Sequence, residues 1–360
     1  MSEDRRSPLF DRQAALGADV MWEDGWPWTM HYATGAEAEY EAIRTGAGLW
    51  DLFSTIKYEV RGPDAGQLIQ RRCTNDLSSM QDGQVRYGAF VNPDGLMVDD
   101  GNVYRFAPDR YWVMLNTGEL EDWFRGSGEG LDASIENVAE THPMIGVQGP
   151  ASRDLLGALT DADLGSLAWF RFLPEQVMVA GKPAWILRTG FSGELGFEVV
   201  TDLDSAPAIY DALLGAGGLA FGLDAVDMAR IEAGLIIIGM DYQPGETSPY
   251  DVSMDRFVKP GTGCVGAEAL AAYGTAPPKR LKTLSIEGDA VPEMGAAVTK
   301  DGKAVGTVTS PTSTPRFGTL ALAVLDASAA ADGEVLGVGA AAAAVGPLSI
   351  YDPEKKKPRS

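Results

Sequence analysis

The sequence contains only two histidines and two cysteines among its 360 residues. His31 and His142 are too few for a His-rich metal site or a His-based triad, and we expect both to be structural. Cys73 and Cys264 are far apart and lack a CxxC or other metal-ligand spacing, so they predict neither a metal site nor a disulfide framework. We therefore expect no bound metal and a reducing, cytoplasmic location.

Basic residues and long apolar runs are also scarce. Twenty-nine Lys and Arg stand against 51 Asp and Glu, a net charge of −22. Because so acidic a surface repels phosphodiester backbones, we expect no nucleic-acid partner. The longest uncharged run, residues 335–351, contains glycines and a proline and is shorter than the roughly 20 residues that span a bilayer. It predicts barrel wall or a loop, and we expect no membrane partner.

Nucleotide-binding motifs are missing as well. The chain has no Walker loop and no GxGxxG that follows a strand and opens a helix, which disfavours nucleotide-driven and nicotinamide-dependent enzymes. The remaining chemistry is one that carboxylates and aromatic side chains can perform while they hold an organic cofactor.

Hydrophobic periodicity predicts a fold of the α+β class. A capping box from Thr34 to Glu37 predicts a helix that ends at Gly46. Further helices are predicted at 65–73, 151–159, 206–214 and 224–234. Strands are predicted at 55–60, 97–106, 111–115, 176–180, 184–188 and 197–200. Short strands at 281–286, 304–309 and 320–325 follow Pro277-Pro278 and predict a small β-barrel.

Asp99-Asp100 lies inside the predicted strand 97–106. Because successive strand side chains point to opposite faces, we expect only one of the two carboxylates to face the interior. Asp100 shares its face with Asn102 and Tyr104. A carboxylate among apolar and aromatic neighbours is costly unless it is compensated, so Asp100 is a candidate site residue, with a satisfied structural Asp as the alternative.

A glycine-rich segment, residues 188–198, is the second candidate. Its glycines allow a flat ligand to approach the backbone, and a carboxylate can accept two N–H groups from a heteroaromatic ring. Glu194 and Glu198 share a face if the strand begins at Glu194; the alternative is a bulge with solvated acids. Arg230 lies near the end of the predicted helix 224–234, where a cation is favourable without any function.

Taken in order, these segments resemble the folate-dependent aminomethyltransferase family, which includes the glycine-cleavage T protein, dimethylglycine and sarcosine demethylating enzymes, and tetrahydrofolate-dependent O- and S-demethylases. The resemblance covers nearly the whole chain. It rests on Gly25-Trp26, Tyr32, Glu41-Ala42-Ile43-Arg44, Gly48-Leu49-Trp50-Asp51, Val60-Arg61-Gly62-Pro63-Asp64-Ala65, Thr74-Asn75-Asp76, Tyr87, Asp94-Gly95, Asp99-Asp100, Asn116, Val147-Gln148-Gly149-Pro150, residues 188–198, Arg230-Ile231-Glu232-Ala233-Gly234, Asp241, Pro249 and Val305-Gly306-Thr307-Val308-Thr309-Ser310.

The resemblance implies a folate-binding body of three subdomains around a central channel, the last a small barrel. We expect a catalytic body of two α+β subdomains over residues 1–276 and the barrel domain over 277–360. The resemblance implies tetrahydrofolate as cofactor and places Asp100 near the reactive pterin nitrogens as the catalytic residue. It implies that the folate is bound by Tyr87, Asp100, Asn116, Phe191, Glu198 and Arg230. Glu198 grips the pterin ring, and Phe191 replaces the usual Tyr beside it, which keeps stacking and loses a hydroxyl.

Three departures separate the chain from the T protein. Val226 replaces an Arg that meets the folate tail, Thr55-Ile56 replaces His-Met, and Ala267 replaces a basic residue. They favour a tetrahydrofolate-dependent transferase that demethylates a small methylated or aminomethylated substrate to give methyl- or methylene-tetrahydrofolate. One alternative is the T protein proper, with a lipoyl carrier protein as partner. Another is a non-catalytic folate-binding protein.

Overall fold

The computed structural model describes residues 5–23, 25–118 and 120–360. Its elements are numbered in chain order. A two-stranded hairpin, β1 (Asp19–Glu23) and β2 (Trp26–His31), lies near the start. A five-stranded antiparallel sheet contains, from edge to edge, β5 (Gln84–Val91), β6 (Met97–Ala107), β7 (Arg110–Leu115), β4 (Ile56–Arg61) and β8 (Ser134–Asn137).

A six-stranded sheet forms the second half of the body, by which we mean everything before the barrel. Its strands are, in order, β10 (Val177–Val179), β11 (Lys182–Leu187), β12 (Gly196–Thr201), β9 (Met144–Gln148), β3 (Gly48–Asp51) and β13 (Leu219–Ala220). Only the β3–β13 pair among these is parallel.

The α-helices of the described residues are α1 (Phe10–Ala15), α2 (Ala36–Thr45), α3 (Ala65–Gln70), α4 (Glu121–Arg125), α5 (Ser152–Gly157), α6 (Ala206–Gly215), α7 (Leu223–Ala233) and α8 (Ala267–Tyr273). Helix α7 ends at Gly234, which adopts the left-handed conformation (φ 65°) that glycine accepts most readily. Short 3₁₀ turns occupy Ala139–Thr141, Asp255–Phe257 and Ala327–Ala329.

The C-terminal segment forms a closed six-stranded barrel. Its order is β14 (Lys279–Ile286), β17 (Gly318–Asp326), β16 (Lys303–Thr314), β15 (Ala297–Lys300), β18 (Val335–Val338) and β19 (Ala341–Gly346), with β19 returning to β14. Strands β18 and β19 lie within residues 335–346 of the uncharged run, so this part is barrel wall, whereas residues 347–351 follow the last strand as a loop.

The body and the barrel share one hydrophobic cluster. Val91 and Met97 of the five-stranded sheet and Ile231 of α7 pack there with Leu281 and Leu322 of the barrel, and all five are buried. Burial of one such side chain stabilises a fold by about 1.5–3 kcal/mol. Because this core is shared by the body and the barrel, it does not mark where one domain ends and the other begins. The domain boundary between residues 276 and 277 stays a prediction.

A buried ion pair also joins the body to the barrel. The Arg230 guanidinium on α7 donates from Nη1 to Asp241 Oδ2 (2.9 Å) and from Nη2 to Ser310 Oγ of β16 (2.9 Å). Asp241 Oδ1 accepts from Thr309 Oγ1 (2.6 Å) and Ser310 Oγ (2.7 Å). The side chains of Arg230 and Asp241 are fully buried. Arg230 Nε also donates to Asp227 (2.6 Å), whose side chain is 37% exposed.

The predicted α+β class and the C-terminal barrel are confirmed, but one helix start is wrong. Helix α2 begins after Gly35, and no side chain caps it. Thr34 Oγ1 donates instead to Glu39 Oε1 (3.2 Å), so the predicted box between Thr34 and Glu37 does not form. Thr34 bonds to Glu39 because the Glu39 carboxylate also accepts the Tyr32 backbone N–H (2.7 Å), which fixes it beside Thr34.

The two acids on Arg230 should differ sharply in their contribution to stability. We expect Asp241→Ala to lower the free energy of unfolding by about 3–5 kcal/mol, because it removes one partner from a buried ion pair. Asp227→Ala, on the same guanidinium but partly solvated, should cost at most about 1 kcal/mol. Urea unfolding of both variants measures this, and equal losses would contradict the role given to the buried pair.

Candidate functional site

Asp100 lies on β6 with both carboxylate oxygens in hydrogen bonds to tyrosines. Tyr87 on β5 donates from its hydroxyl to Oδ2 (2.6 Å), and Tyr242 donates to Oδ1 (2.5 Å). Only 5% of Asp100 is exposed. Burial, together with the negative charge of Asp99, raises the pKa of Asp100 to about 7, although the two tyrosines oppose the rise. Asp100 can therefore exchange a proton near neutral pH, as a general acid or base must.

Asp99 is buried as well, which corrects the expectation that only one carboxylate of the pair faces the interior. It points to the opposite side of the sheet, and burial raises its pKa. Its Oδ2 accepts from the Thr117 backbone N–H (3.0 Å) and hydroxyl (2.9 Å). Both carboxylates are buried because the sheet is covered on both faces, so strand alternation alone does not tell inside from outside.

Asn116, a predicted folate ligand, lies directly after β7 and is held by both acids. Its Nδ2 donates to Asp99 Oδ1 (2.8 Å) and to the Asp100 backbone carbonyl (2.9 Å). The side chain is exposed. The structure therefore brings Tyr87, Asp100 and Asn116 together, with Asp99 acting as the support that orients Asn116.

Asp100, Asn102 and Tyr104 occupy alternate positions of β6 and therefore share one face of the five-stranded sheet, which we call the Asp100 face. Gly101 between them allows a close approach of β7, because a Cβ there would lie 2.0 Å from the Met114 carbonyl oxygen. Only glycine fits this position without a backbone shift. The Tyr104 hydroxyl reaches the other sheet and lies 3.2 Å from Thr189 Oγ1.

Glu198 lies on β12 and faces the Asp100 face from the second sheet. Thr189 Oγ1 and the Tyr104 hydroxyl donate to its Oε2, at 2.6 Å and 3.5 Å. Both of these bonds end on Oε2, and Oε1 accepts no hydrogen bond from the residues that the structure describes. Glu198 is 8% exposed, and burial raises its pKa while Thr189 and the nearby Lys57 oppose the rise.

Glu194 does not join Glu198, since β12 begins only at Gly196. It is buried elsewhere, where its Oε1 accepts from Arg44 Nη1 (3.3 Å) and from the Tyr351 hydroxyl. Arg44 also donates to Glu232 Oε2 (2.7 Å). The alternative of solvated acids is equally wrong, because both glutamates are buried in hydrogen-bonded environments.

An aromatic wall stands beside Glu198. The register pairs Glu198 with Gly146, and Gly146 with Trp50, so the three lie side by side on one face of the six-stranded sheet. Gly146 has no side chain, and a Cβ there would lie 3.2 Å from the Leu52 Cδ1 and 3.4 Å from the Trp50 Cβ. Phe191, in the loop before β12, stacks on Trp50 with a centroid distance of 6.5 Å and an interplanar angle of 28°. The predicted ligands Phe191 and Glu198 therefore belong to one surface.

Lys57 is a buried cation that the sequence analysis did not single out. It lies on β4, and the cross-strand register runs from Lys57 through Met114 to Asn102 on the Asp100 face. Its Nζ donates to the Thr55 carbonyl (2.8 Å). Burial lowers the pKa of Lys57 to about 7, while the charges of Asp51 and Glu198 oppose the shift.

Arg230 makes no direct contact with Asp100 among the described hydrogen bonds and lies next to Asp241. All five of its N–H groups have protein partners: Asp227, the Leu235 carbonyl, Asp241, Ser310 and the Met240 sulfur. A direct contact with folate would require one of these bonds to break, and that contact stays a prediction. Arg230 reaches the site through Asp241, because the next residue is Tyr242, which donates to Asp100.

Sequence reasoning missed two site residues, Tyr242 and Lys57, and it included Thr189 and Trp50 only within longer segments. Tyr242 lies in an irregular segment, so no periodicity marks it. Lys57 alternates with Ile56 and Tyr58 and shares its strand face with Glu59, so the sequence pattern gives no signal that Lys57 is buried. Within the ranges that the structure describes, no cluster of His, Cys, Asp and Glu is placed to hold a metal ion. In the same ranges, no helix has the length and apolar character of a membrane span.

Two domain families match the chain. The GCVT N-terminal domain matches residues 9–262, and the glycine cleavage T-protein C-terminal barrel domain matches residues 279–352. The fold is also similar to the crystal structure of glycine cleavage system aminomethyltransferase T from Bartonella henselae. That similarity has a TM-score of 0.88 at 24% identity and covers 96% of this chain and 97% of the other.

Curated relatives are similar over almost their full lengths. The aminomethyltransferase of Thermotoga maritima is 32% identical over 342 residues, 93% of each chain. The probable aminomethyltransferase of Halobacterium salinarum is 35% identical over 346 residues, 93% of this chain and 94% of the relative. The aminomethyltransferase of Streptomyces coelicolor is 35% identical over 347 residues, 92% of each chain.

The stability of the protein should depend on pH through Asp100. Since the folded-state pKa of about 7 lies above the ordinary value of about 3.9, Asp100 stabilises the fold fully below pH 4 and loses this contribution as the pH rises through 7. Asp100→Asn should therefore exceed the wild type in unfolding free energy at pH 8 by up to about 4 kcal/mol, and by much less at pH 4. Denaturant unfolding at both pH values tests this.

Asp161→Asn, which changes an exposed aspartate, is the matched control and should give the same small difference at both pH values. A stability difference between wild type and Asp100→Asn that does not change with pH would contradict the burial argument.

Proposed function

The chain belongs to the GCVT family and is a tetrahydrofolate-dependent one-carbon transferase, and on that premise we propose that it is the aminomethyltransferase of a glycine cleavage system. The observation that carries the proposal is the pair of buried carboxylates, Asp100 and Glu198, on facing sides of the two sheets. The choice of an aminomethyl donor is supported by relatives named aminomethyltransferase in three organisms, each similar over more than nine-tenths of its length. The corresponding partner is a lipoyl carrier protein.

The site fits a reduced pterin by its chemistry. A pterin ring presents N–H donors at its edge and two apolar faces. Glu198 offers a free carboxylate oxygen as acceptor, and Phe191 with Trp50 offers aromatic surface for stacking. Asp100, with Tyr87 beside it, would lie near the reactive nitrogens. When bound, tetrahydrofolate supplies the nitrogen nucleophile that accepts the one-carbon unit.

The residues of the chain would act by positioning and by electrostatics. Correct alignment of two reactants can contribute about 7–11 kcal/mol of the barrier reduction. Tyr87 and Tyr242 fix the Asp100 carboxylate at both oxygens, so its orientation does not change during the reaction. A preoriented carboxylate in a water-poor site stabilises positive charge that develops as the leaving group departs. Asp100, whose pKa is about 7, can also accept or return the proton that the leaving group needs.

Demethylation of a small methylated substrate is the second candidate, and Val226 favours it. The resemblance expects an Arg here that meets the folate tail, but Val226 is buried on α7 and packs with Tyr40 and Phe221. A non-catalytic role has less support, because both Asp100 and Glu198 are retained.

A reducing, cytoplasmic location is supported by Cys73 and Cys264, which are both buried and unpaired.

Activity should separate the two candidates. With tetrahydrofolate and an aminomethyl-loaded lipoyl carrier protein, we expect the purified protein to release ammonia and form methylene-tetrahydrofolate. Asp100→Asn should lower kcat by about 10²–10⁴-fold, the usual contribution of a positioned acid–base group. Its Kd for tetrahydrofolate should stay within a few fold. Methyl transfer from methylated amines, sulfonium compounds or aryl ethers, without activity on the carrier, would favour demethylation instead.

Folate affinity should depend on Glu198. We expect Glu198→Ala to abolish measurable tetrahydrofolate binding in anaerobic titration calorimetry, since it removes the acceptor for the pterin edge. Glu194→Gln is the matched control, because Glu194 is equally buried but lies in the Arg44 cluster away from the two sheets' facing surfaces. Undiminished binding by Glu198→Ala, or no binding by the wild type, would overturn the placement of the pterin.

A further inference from the structure

Asn102 carries a buried polar atom that has no role in the proposed mechanism. Its Oδ1 is buried and accepts no hydrogen bond from the described part of the chain. Buried side-chain acceptors in native proteins are nearly always paired, and an unpaired one destabilises the fold. An apolar residue at this position of β6 would avoid the free-energy cost of a buried unpaired oxygen. We therefore look for a hydrogen-bond donor that does not belong to the chain.

The position of Asn102 restricts what that donor can be. On β6 it stands between Asp100 and Tyr104, and its cross-strand neighbours are Tyr87 on β5 and Met114 on β7. Its amide also contacts the Tyr104 phenol. Asn102 is therefore surrounded by the residues that the resemblance and the geometry place around the folate.

Asn102 also lies midway along the proposed pterin site. Asp100 marks one end, and the other end is marked by Tyr104, which reaches Thr189 and Glu198. Tyr104 lies four strand positions after Asp100, a span of about 13 Å at about 3.3 Å per residue. A bicyclic ring held between the two carboxylates passes over the middle of this span, where the free Oδ1 is.

We propose that Asn102 selects reduced over oxidised folate by accepting a hydrogen bond from a ring N–H of the tetrahydropterin. The reduced ring carries N–H groups at positions 5 and 8, whereas the oxidised ring has bare, electron-rich nitrogens at both. An acceptor oxygen attracts the first and repels the second. The inference rests on the proposed placement of folate between Asp100 and Glu198, and it adds a specificity-determining residue to that site.

Anaerobic titration calorimetry with tetrahydrofolate and with folic acid tests the inference. Asn102→Val removes the oxygen and keeps a residue that suits a β-strand. It should weaken tetrahydrofolate binding by about 5- to 100-fold, the effect of losing one buried hydrogen bond. Folic acid binding should be unchanged or stronger, so the ratio of the two affinities falls. Asn102→Thr, with a hydroxyl in place of one valine methyl, should retain part of the ratio.

Two further measurements separate a ligand contact from a structural role. The melting temperature of ligand-free Asn102→Val should equal or exceed that of the wild type, because an unpaired polar atom is removed. Met114→Leu, a similar-volume change at the cross-strand neighbour, should leave the affinity ratio unchanged. A wild-type ratio in Asn102→Val, or equal losses for both ligands with a lower melting temperature, would overturn the inference alone. Failure of the wild type to bind tetrahydrofolate would overturn both it and the proposed function.

Discussion

The site depends on the buried contact between Asp241 and the barrel. Asp241 is held by Arg230 of the body and by Thr309 and Ser310 of β16, so its backbone position is fixed from two directions. Tyr242 follows directly and donates to Asp100. Through Asp241 and Tyr242, the barrel therefore helps to fix the orientation of the Asp100 carboxylate.

Burial of ionisable groups is the second constraint, and it works against stability. Asp99, Asp100, Glu198 and Lys57 are all removed from water, and burial is the largest cause of the pKa shift of each. The same desolvation makes a fixed carboxylate effective at stabilising developing charge. Asp100 and Lys57, with opposite charges and pKa values near 7, lie on one face of the same sheet. The site therefore holds groups that can change protonation at neutral pH without exposure to solvent.

Sequence patterns predicted the elements that are locally encoded. The period-two alternation in 97–106 and 111–115 identified β6 and β7, and the runs after Pro277-Pro278 identified three barrel strands. Strand β5, which carries Tyr87, was missed as an element because its last four residues are buried on both faces and do not alternate. The Tyr242–Asp100 bond joins residues that are 142 positions apart in the chain, and the Arg44–Glu232 pair joins residues that are 188 positions apart. No local sequence pattern encodes such contacts. The resemblance to the family, and not hydrophobic periodicity, predicts that Tyr87, Phe191 and Glu198 belong to one binding site.

The departures from the T protein can be understood from where they lie. Val226 belongs to the cluster against which Phe191 and Trp50 pack, and Ala267 packs beside the core shared by body and barrel. Thr55 offers its carbonyl to Lys57, a contact that any side chain at that position would permit. Val226 and Thr55 therefore lie next to the proposed pterin surface and Lys57, whereas Ala267 lies in the core that joins body and barrel. Val226, where the resemblance expects an Arg, is the departure that favours a demethylating enzyme. It introduces no group that would distinguish a methyl from an aminomethyl carbon, so the similarity to aminomethyltransferases outweighs it.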